Sequence, residues 1–190
     1  MRRIAGLLTT VVLLSGCGDT PAVPTTNNAT GAALQPDAAS LIKRPESEAR
    51  ALLALRAATD PFHRIEAAVK AGFNTQAPPG CFASAAGGMG FHWNNAVNVG
   101  TLDPAKPQFV MYEPQQDGSM KLVGAEFIFP GSPTDAPPVL FGQKFTYNTT
   151  FQVWALHVWI WEENPSGLYA DWNPRVSCAF AKTAVMTKHH

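Results

Sequence analysis

The sequence has few charged residues, few cysteines and no apolar run long enough to cross a bilayer. Charged side chains make up 15% of the chain, with 14 basic and 14 acidic residues, so it lacks the basic surplus of nucleic-acid-binding proteins. No stretch approaches the roughly 20 apolar residues of a transmembrane helix. The phosphate-binding Gly-x-x-x-x-Gly-Lys, the dinucleotide fingerprint and Gly-x-Ser-x-Gly are also absent. We therefore expect no nucleic-acid partner and none of the chemistry that these motifs support.

The first residues have the order of a secretory signal. Arg2 and Arg3 precede an apolar stretch over residues 4–14, and Leu14-Ser15-Gly16-Cys17 follows. Charged start, short apolar region and small residues at the cut are typical of export. The Leu-Ser-Gly-Cys ending resembles the lipobox of bacterial lipoproteins, in which the cysteine carries lipid and becomes the first residue. The resemblance implies a signal peptide over residues 1–16 and lipidation at Cys17.

Lipid on Cys17 predicts a membrane-anchored protein of the bacterial cell envelope. Several acyl chains, each CH₂ adding about 0.8 kcal/mol, make such anchoring stable. Gly18 follows the cysteine and Asp19 comes one position later. In some bacteria an acidic residue directly after the cysteine retains the protein on the inner membrane. Its absence from that position favours the outer membrane.

The exported chain divides into a tether and one domain. Two of the 14 basic residues lie in the signal, which leaves 12 basic and 14 acidic residues. Residues 17–45 are rich in Thr, Ala, Pro and Asn and cannot bury enough surface to order themselves, so they are predicted to be a flexible tether. Residues 46–190 suit a single globular domain. Abundant Pro, Gly and aromatic residues predict a loop-rich α+β domain.

Cys81 and Cys178 are the two cysteines that lipidation does not use. An even pair in an oxidising compartment predicts a disulfide. It would close a loop of roughly 98 residues, for which the chain-entropy model gives about 4.7 kcal/mol. The alternative is a pair of metal thiolates, which no Cys-x-x-Cys spacing supports.

Two helices are predicted at the start of the domain. Residues 46–58 are strong helix formers. Asp60-Pro61 has the pattern of a helix start, an apolar stripe follows, and Gly72 has the pattern of a helix end. Such helices would form a hairpin packed on the rest of the domain.

Strands are predicted for most of the remainder, in a mostly antiparallel sheet. Residues 108–113 and 121–129 flank a turn at Gln116-Asp117-Gly118, which is a hairpin pattern. Residues 151–161 are dense in Val, Trp and Ile and predict a strand inside the sheet. The Gly- and Pro-rich segments 77–90, 130–138 and 164–174 are predicted to be loops.

Three segments together resemble a group of secreted or lipid-anchored bacterial proteins of unassigned function. They are Gly88-Met89-Gly90-Phe91-His92-Trp93, then Val123-Gly124-Ala125-Glu126-Phe127, and Leu156-His157-Val158-Trp159-Ile160-Trp161 with Asn164-Pro165 and Trp172-Asn173-Pro174-Arg175-Val176-Ser177-Cys178. The resemblance spans residues 57–178. It implies export, a disulfide and a single domain, and it carries no activity.

Two histidines stand in sequence that suggests a site. His92 follows a run of Gly and Met, where glycine lets the backbone approach a ligand or another strand closely. His157 lies within an apolar strand, so at least one ring nitrogen needs a partner. Buried imidazoles bind metals or move protons. The alternatives are a loop histidine bonded to backbone and a core histidine with a satisfied hydrogen bond.

Glu113 and Glu126 lie on the two strands of the predicted hairpin. Apolar residues surround Glu126, and a carboxylate there needs a cation, a metal or a donor. The alternative is the solvated face of a strand. With a two-residue turn, residue 109 would pair with 126 and both carboxylates would face the same side. We expect His92, Glu126 and His157 to converge on a divalent metal such as Zn, Fe, Mn or Cu, with Glu113 as a fourth candidate.

Three functions remain open from the sequence. The first is a binding module whose cleft holds a metal or small ligand, the second is a metal-dependent envelope enzyme, and the third is a structural or interaction lipoprotein without such a site. The aromatic residues are ambiguous in the same way, since they can line a carbohydrate or apolar ligand site or can form core. They are Trp154, Trp159, Trp161, Tyr169 and Trp172.

Overall fold

A computed structural model describes residues 43–182 and, for its backbone, the strand Ala184–Met186. The predicted signal peptide (1–16), the lipidation site at Cys17, nearly all of the tether and the final two histidines lie outside the described residues, and those assignments stay predictions. Helical segments come first in the chain: α1 (Glu46–Thr59), a 3₁₀ turn (Asp60–His63) and α2 (Ile65–Lys70). Strands follow: β1 (Thr75–Ser84), β2 (Gly87–Asn94), β3 (Phe109–Pro114), β4 (Met120–Pro130), β5 (Val139–Leu140), β6 (Gln143–Lys144), β7 (Thr146–Asn148), β8 (Val153–Val158) and β9 (Ala184–Met186).

The fold is α+β, built on one mostly antiparallel sheet in the order β7-β8-β4-β3-β2-β1-β9. Six of these strands pair antiparallel, and β9 joins the edge of β1 in parallel. Strands β5 and β6 form a separate two-stranded ribbon. Because β8 lies beside β4, residues far apart in sequence become neighbours at the centre of the sheet.

One face of the sheet, here called the helix face, packs against the helical segments. Val110, Phe127 and Leu156 lie on this face and share a buried cluster with Leu52 and Leu55 of α1. Such side chains each contribute about 1.5–3 kcal/mol when fully buried. The helix face is therefore the main core of the domain.

Three polar contacts connect the helical segments to β3 and to the chain just after β8. The hydroxyl of Tyr112 donates to the carbonyl of Phe62 at 2.7 Å, and the indole of Trp161 donates to Oγ1 of Thr59 at 2.9 Å. The guanidinium of Arg56 donates to the carbonyl of Ile160 at 2.9 Å.

The prediction of a single helix after Asp60 is wrong in one respect. Arg64 is extended (φ −100°, ψ 114°) and separates the 3₁₀ turn from α2.

The Gly- and Pro-rich segment 77–90 is not the predicted loop. It forms most of β1 and the first part of β2. The glycines are needed because neighbouring backbone lies where a Cβ would project: that atom would be 2.6 Å from the Val176 carbonyl oxygen at Gly88 and 2.4 Å from the Tyr112 carbonyl oxygen at Gly90. His92 therefore lies on a strand, paired with Met111.

The predicted strand over residues 151–161 is shorter in the structure. Regular pairing covers Val153–Val158, after which the amide of Ile160 donates to the carbonyl of Val158 at 2.9 Å. This tight turn ends the alternation of faces. Trp159 still packs with Met111 and Val176, as its spacing of two residues from His157 predicts, whereas Trp161 belongs to the core cluster on the helix face.

The chain after β8, here called the crossing segment (residues 159–178), returns across the sheet towards β1. Its Asn173 exchanges backbone hydrogen bonds with Gly88 at 3.0 and 3.1 Å. A disulfide joins Cys81 of β1 to Cys178, with a Cα–Cα distance of 5.8 Å, which confirms the predicted pairing. Among the described residues, no helix has the length and apolar character to span a membrane.

Candidate metal centre

Sheet register places three chemically active side chains on the face opposite the helices, here called the cleft face. Glu126 of β4 pairs with Phe109 of β3 on one side and with His157 of β8 on the other. His92 of β2 pairs with Met111, two residues along β3 from Phe109. Directly paired residues and residues two apart share a face. His92, Glu126 and His157 therefore all project from the same side of the sheet.

The three side chains meet. Nε2 of His92 lies 3.5 Å from Oε2 of Glu126, and Nε2 of His157 lies 3.6 Å from Oε1. The two imidazole centroids are 6.0 Å apart. One ligand atom from each residue lies within 4.8 Å of the others, so the group can hold a metal ion. We call these residues the His-Glu-His cluster.

Burial makes the polar atoms of the cluster energetically costly unless each has a hydrogen-bond or metal partner. His92 and His157 are each 3% exposed, and Glu126 is 9% exposed. Both N···O distances exceed the roughly 2.7–3.2 Å of an N–H···O hydrogen bond. Nε2 of His157 makes no hydrogen bond within the part of the chain that the structure describes. An unsatisfied buried polar atom of this kind costs about 1–3 kcal/mol.

The second nitrogen of His157 faces a carboxylate. Oδ1 of Asp171, in the crossing segment, lies 3.4 Å from Nδ1 of His157. The Trp159 ring stacks on the imidazole with centroids 6.4 Å apart and an angle of 13°. The Nδ1···Oδ1 distance is also beyond hydrogen-bond length, and Nδ1 of His157 makes no hydrogen bond within the described residues. Asp171 therefore acts on the ring through its charge, from the position where a carboxylate commonly supports a metal-binding histidine. Nothing in the sequence links Asp171 to His157, and sequence reasoning did not find it.

Burial and nearby charges together shift the pKa values of the two histidines in opposite directions. Burial, with a smaller effect of His157, lowers the pKa of His92 to about 3, against an opposing contribution from the Gly90 backbone. Burial also lowers the pKa of His157, but the carboxylates of Glu126 and Asp171 outweigh it, and the net shift is upward. Burial raises the pKa of Glu126. His92 is thus held as the neutral imidazole, which is the form that binds metals.

A cavity of about 390 Å³ opens above the cluster. His92, Glu126 and His157 form its polar base, and most of the wall is apolar. Its apolar side chains come from four strands and the turn before β8, namely Phe82, Met89, Phe109, Ile128 and Phe151. A volume of this size falls within the range of about 300–1,000 Å³ for small-molecule sites.

Glu113, the fourth candidate ligand, has other partners. Its Oε1 accepts the amide of Ser177 at 2.8 Å, and its Oε2 accepts from Gln115 and lies 4.0 Å from Nζ of Lys121. The hairpin has the predicted 109–126 pairing but a bulge after Met111, and Glu113 pairs with Lys121. Glu113 therefore stabilises the hairpin and the crossing segment and is not part of the His-Glu-His cluster.

Three of the aromatic residues that could have lined a carbohydrate site, Trp154, Trp159 and Trp161, belong to the core. Trp159 and Trp161 are at most 2% exposed, and Trp154 is 8% exposed. The hydroxyl of Tyr169 donates to Glu48 at 2.6 Å, which joins the crossing segment to α1. None of these, nor Trp172, lines the 390 Å³ cavity.

No protein-family model matches the chain, and neither a curated protein nor a solved structure shows significant similarity to it.

Proposed function

We propose that this protein is a lipid-anchored component of the bacterial cell envelope that binds a divalent metal ion through His92, Glu126 and His157. In this proposal the two N-terminal helical segments form a hairpin that closes the helix face. The cleft face stays open to a small ligand. Lipid on Cys17 and the tether over residues 17–45 hold the domain on the membrane, with the outer membrane favoured.

The spacing of the His-Glu-His cluster carries the proposal. Its N···O distances of 3.5 and 3.6 Å are too long for hydrogen bonds. They are close to the roughly 3.3–3.4 Å between two ligand atoms of one tetrahedral ion with bonds of about 2.0–2.1 Å. A bound ion would satisfy Nε2 of His157 and balance the buried carboxylate of Glu126.

The ligand types narrow the choice of metal. Two imidazoles and one carboxylate suit Zn, Fe, Mn or Cu, and a set of three protein ligands leaves coordination positions for water or another molecule. Here those positions would face the 390 Å³ cavity. This opening favours a metal-dependent enzyme as the second candidate, because an open position is what metal catalysis requires.

Metal content of the full chain tests the proposal. Lipidated protein is extracted from membranes without chelators, dialysed against metal-free buffer, and analysed for Zn, Fe, Mn and Cu by mass spectrometry. We expect about one ion per chain. Glu126→Gln preserves the shape of the side chain and should lower metal affinity at least 100-fold, since it removes the charged ligand. Glu113→Gln is the matched control on the same hairpin and should keep the metal.

Metal binding should also appear in stability. At a free metal concentration 100 times the Kd, the folded state gains about 2.7 kcal/mol, which corresponds to roughly 5–10 °C in Tm. Glu126→Gln should fold without metal and lose this shift. The proposal fails if no stoichiometric metal is found with any of the four ions, or if both glutamine variants bind equally. Absence of metal would leave a structural lipoprotein or a module that binds a small ligand without metal, and equal binding by the two variants would place the metal elsewhere.

Anchoring is tested separately at Cys17. The Cys17→Ser variant lacks the thiol that accepts the lipid and should accumulate as unprocessed or soluble protein. Membrane fractionation and intact mass distinguish these forms. Processed, membrane-bound Cys17→Ser protein would contradict the anchor.

A further inference from the structure

The wall of the cavity above the cluster offers a ligand little except apolar contact. Its aromatic and aliphatic side chains outnumber the two amides that reach it, Asn94 and Asn148. Within the described part of the chain, no Lys or Arg lines the cavity. A phosphate, carboxylate or sulfate group would find no cation here except the metal. A sugar would find few of the hydrogen-bond partners that its hydroxyls need.

Charge balance at the base leads to the same class of ligand. Among the described side chains that line the cavity, the ion would be the one positive charge, because both imidazoles are neutral when they bind metal. Glu126 offsets half of the charge of a divalent ion, and the half-exposed Asp171 lies 3.4 Å from Nδ1 of His157, whereas Glu126 faces Nε2. Little net charge therefore remains to draw an anion into an apolar cavity.

Phe151 lines the cavity and is 48% exposed, which places this side chain at the edge between the cavity and solvent. Phe151 lies in the turn between β7 and β8, where Oδ1 of Asn148 accepts the amides of Thr150 and Phe151 at 3.0 and 3.1 Å. These bonds fix the backbone of the turn that carries the phenyl ring. A large apolar side chain at the mouth of an apolar cavity adds contact area for a ligand of the same character.

We propose that the cavity binds an uncharged, mainly apolar molecule that carries one nitrogen or oxygen donor, and that this donor completes the coordination of the metal. The inference rests on the proposed metal site and adds the chemical class of its ligand. The apolar part of the ligand lies against Phe82, Phe109 and Ile128, and its donor atom binds the ion that the His-Glu-His cluster holds. Phe151 contacts the ligand at the rim and contributes to affinity without touching the metal.

The test compares probes that share a nitrogen donor and differ in the apolar group attached to it. Full-length lipidated protein is placed in phospholipid nanodiscs, which avoids free detergent in the cavity, and is loaded with Co²⁺, whose visible absorption reports coordination. Metal content is measured first. Imidazole, 4-phenylimidazole and inorganic phosphate are then titrated. We expect 4-phenylimidazole to bind at least tenfold more tightly than imidazole, with a change in the Co²⁺ spectrum, and phosphate to bind more weakly than either.

Two exposed phenylalanines provide a matched pair of variants. Phe151→Ala should weaken the binding of 4-phenylimidazole at least threefold. The affinity for imidazole and the metal content should stay unchanged. Phe180→Ala removes a phenyl ring that is 54% exposed and outside the cavity lining, and it should change nothing. If metal does not bind, the proposed function fails. If metal binds but the two imidazoles have equal affinity, or phosphate binds most tightly, the metal site stands and the ligand class is wrong.

Discussion

At the residue scale, three polar side chains occupy positions that an apolar sheet would otherwise fill with hydrocarbon. His92 has Phe82 and Phe109 at ring-centroid distances of 5.8 and 5.9 Å. Placing imidazole and carboxylate there costs stability unless each finds a partner. Without metal, the contacts within the His-Glu-His cluster are too long to satisfy these groups, and Asp171 adds only a nearby negative charge beside His157. A cost of this kind at one cleft is typical of functional sites.

The proton balance of the cluster predicts how metal affinity depends on pH. His92 has a pKa of about 3 and brings no proton to the reaction near neutrality. The pKa of His157 is raised by Glu126 and Asp171 against burial, so the imidazolium persists above its ordinary pH range and the metal must displace its proton. Affinity should therefore fall as pH is lowered, by about tenfold per pH unit below that pKa.

Calorimetry in buffers of different ionisation enthalpy measures the protons released. At pH 6, which is below even the ordinary imidazole pKa of about 6.5, at least one proton should be released per metal ion. Metal binding without proton release at this pH would show that the metal displaces no proton from His157.

At the element scale, glycine allows β2 to approach its neighbours. Gly90 and Gly118 share a φ of +84°, but the surroundings differ. A Cβ at Gly90 would lie 2.4 Å from the Tyr112 carbonyl oxygen, whereas nothing lies within 4 Å at Gly118. The left-handed conformation alone costs an alanine about 1–2 kcal/mol.

Alanine at each glycine separates these two effects. Gly118→Ala should lose about 1–2 kcal/mol in the free energy of unfolding. Gly90→Ala should lose about 1–3 kcal/mol more, because β2 must move away from β3. Urea unfolding of metal-free protein measures both. Metal affinity should also fall in Gly90→Ala, since His92 is two residues away on β2. Equal losses in the two variants would mean that β2 can move without cost.

At the scale of the whole molecule, the disulfide attaches the crossing segment to the sheet. Cys81 and Cys178 are 97 residues apart in sequence. The segment that ends at Cys178 also carries Asp171 and Asn173, which contact His157 and Gly88. A cross-link over a loop of this length restricts the unfolded chain by about 4–5 kcal/mol in the chain-entropy model.

Removal of the cross-link should therefore destabilise the domain strongly. The Cys81→Ala/Cys178→Ala double variant is expected to lose about 3–5 kcal/mol in the free energy of unfolding, and reduction of the native protein should have a similar effect. Peptide mapping without reductant should find the two cysteines linked. Two freely alkylated thiols in the native protein would contradict the pairing.

Local patterns in the sequence determined the parts of this fold that depend on neighbouring residues. The turn at Gln116-Asp117-Gly118 and its flanking strands predict the β3–β4 hairpin, including the pairing of residues 109 and 126. Helix formers predict α1. The pairing of Cys81 with Cys178 follows from counting cysteines. Apolar surroundings mark Glu126 and His157 as polar groups that need partners.

Tertiary structure alone decided how these groups meet. β8 pairs with β4 across more than twenty intervening residues, and no local periodicity contains that choice. Glycines in β2 predict a loop by propensity, but close backbone neighbours make them necessary in a strand, which puts His92 on the cleft face. Asp171 reaches His157 because the crossing segment returns over the sheet. Sequence identifies side chains that need partners, whereas strand order determines which partners they have.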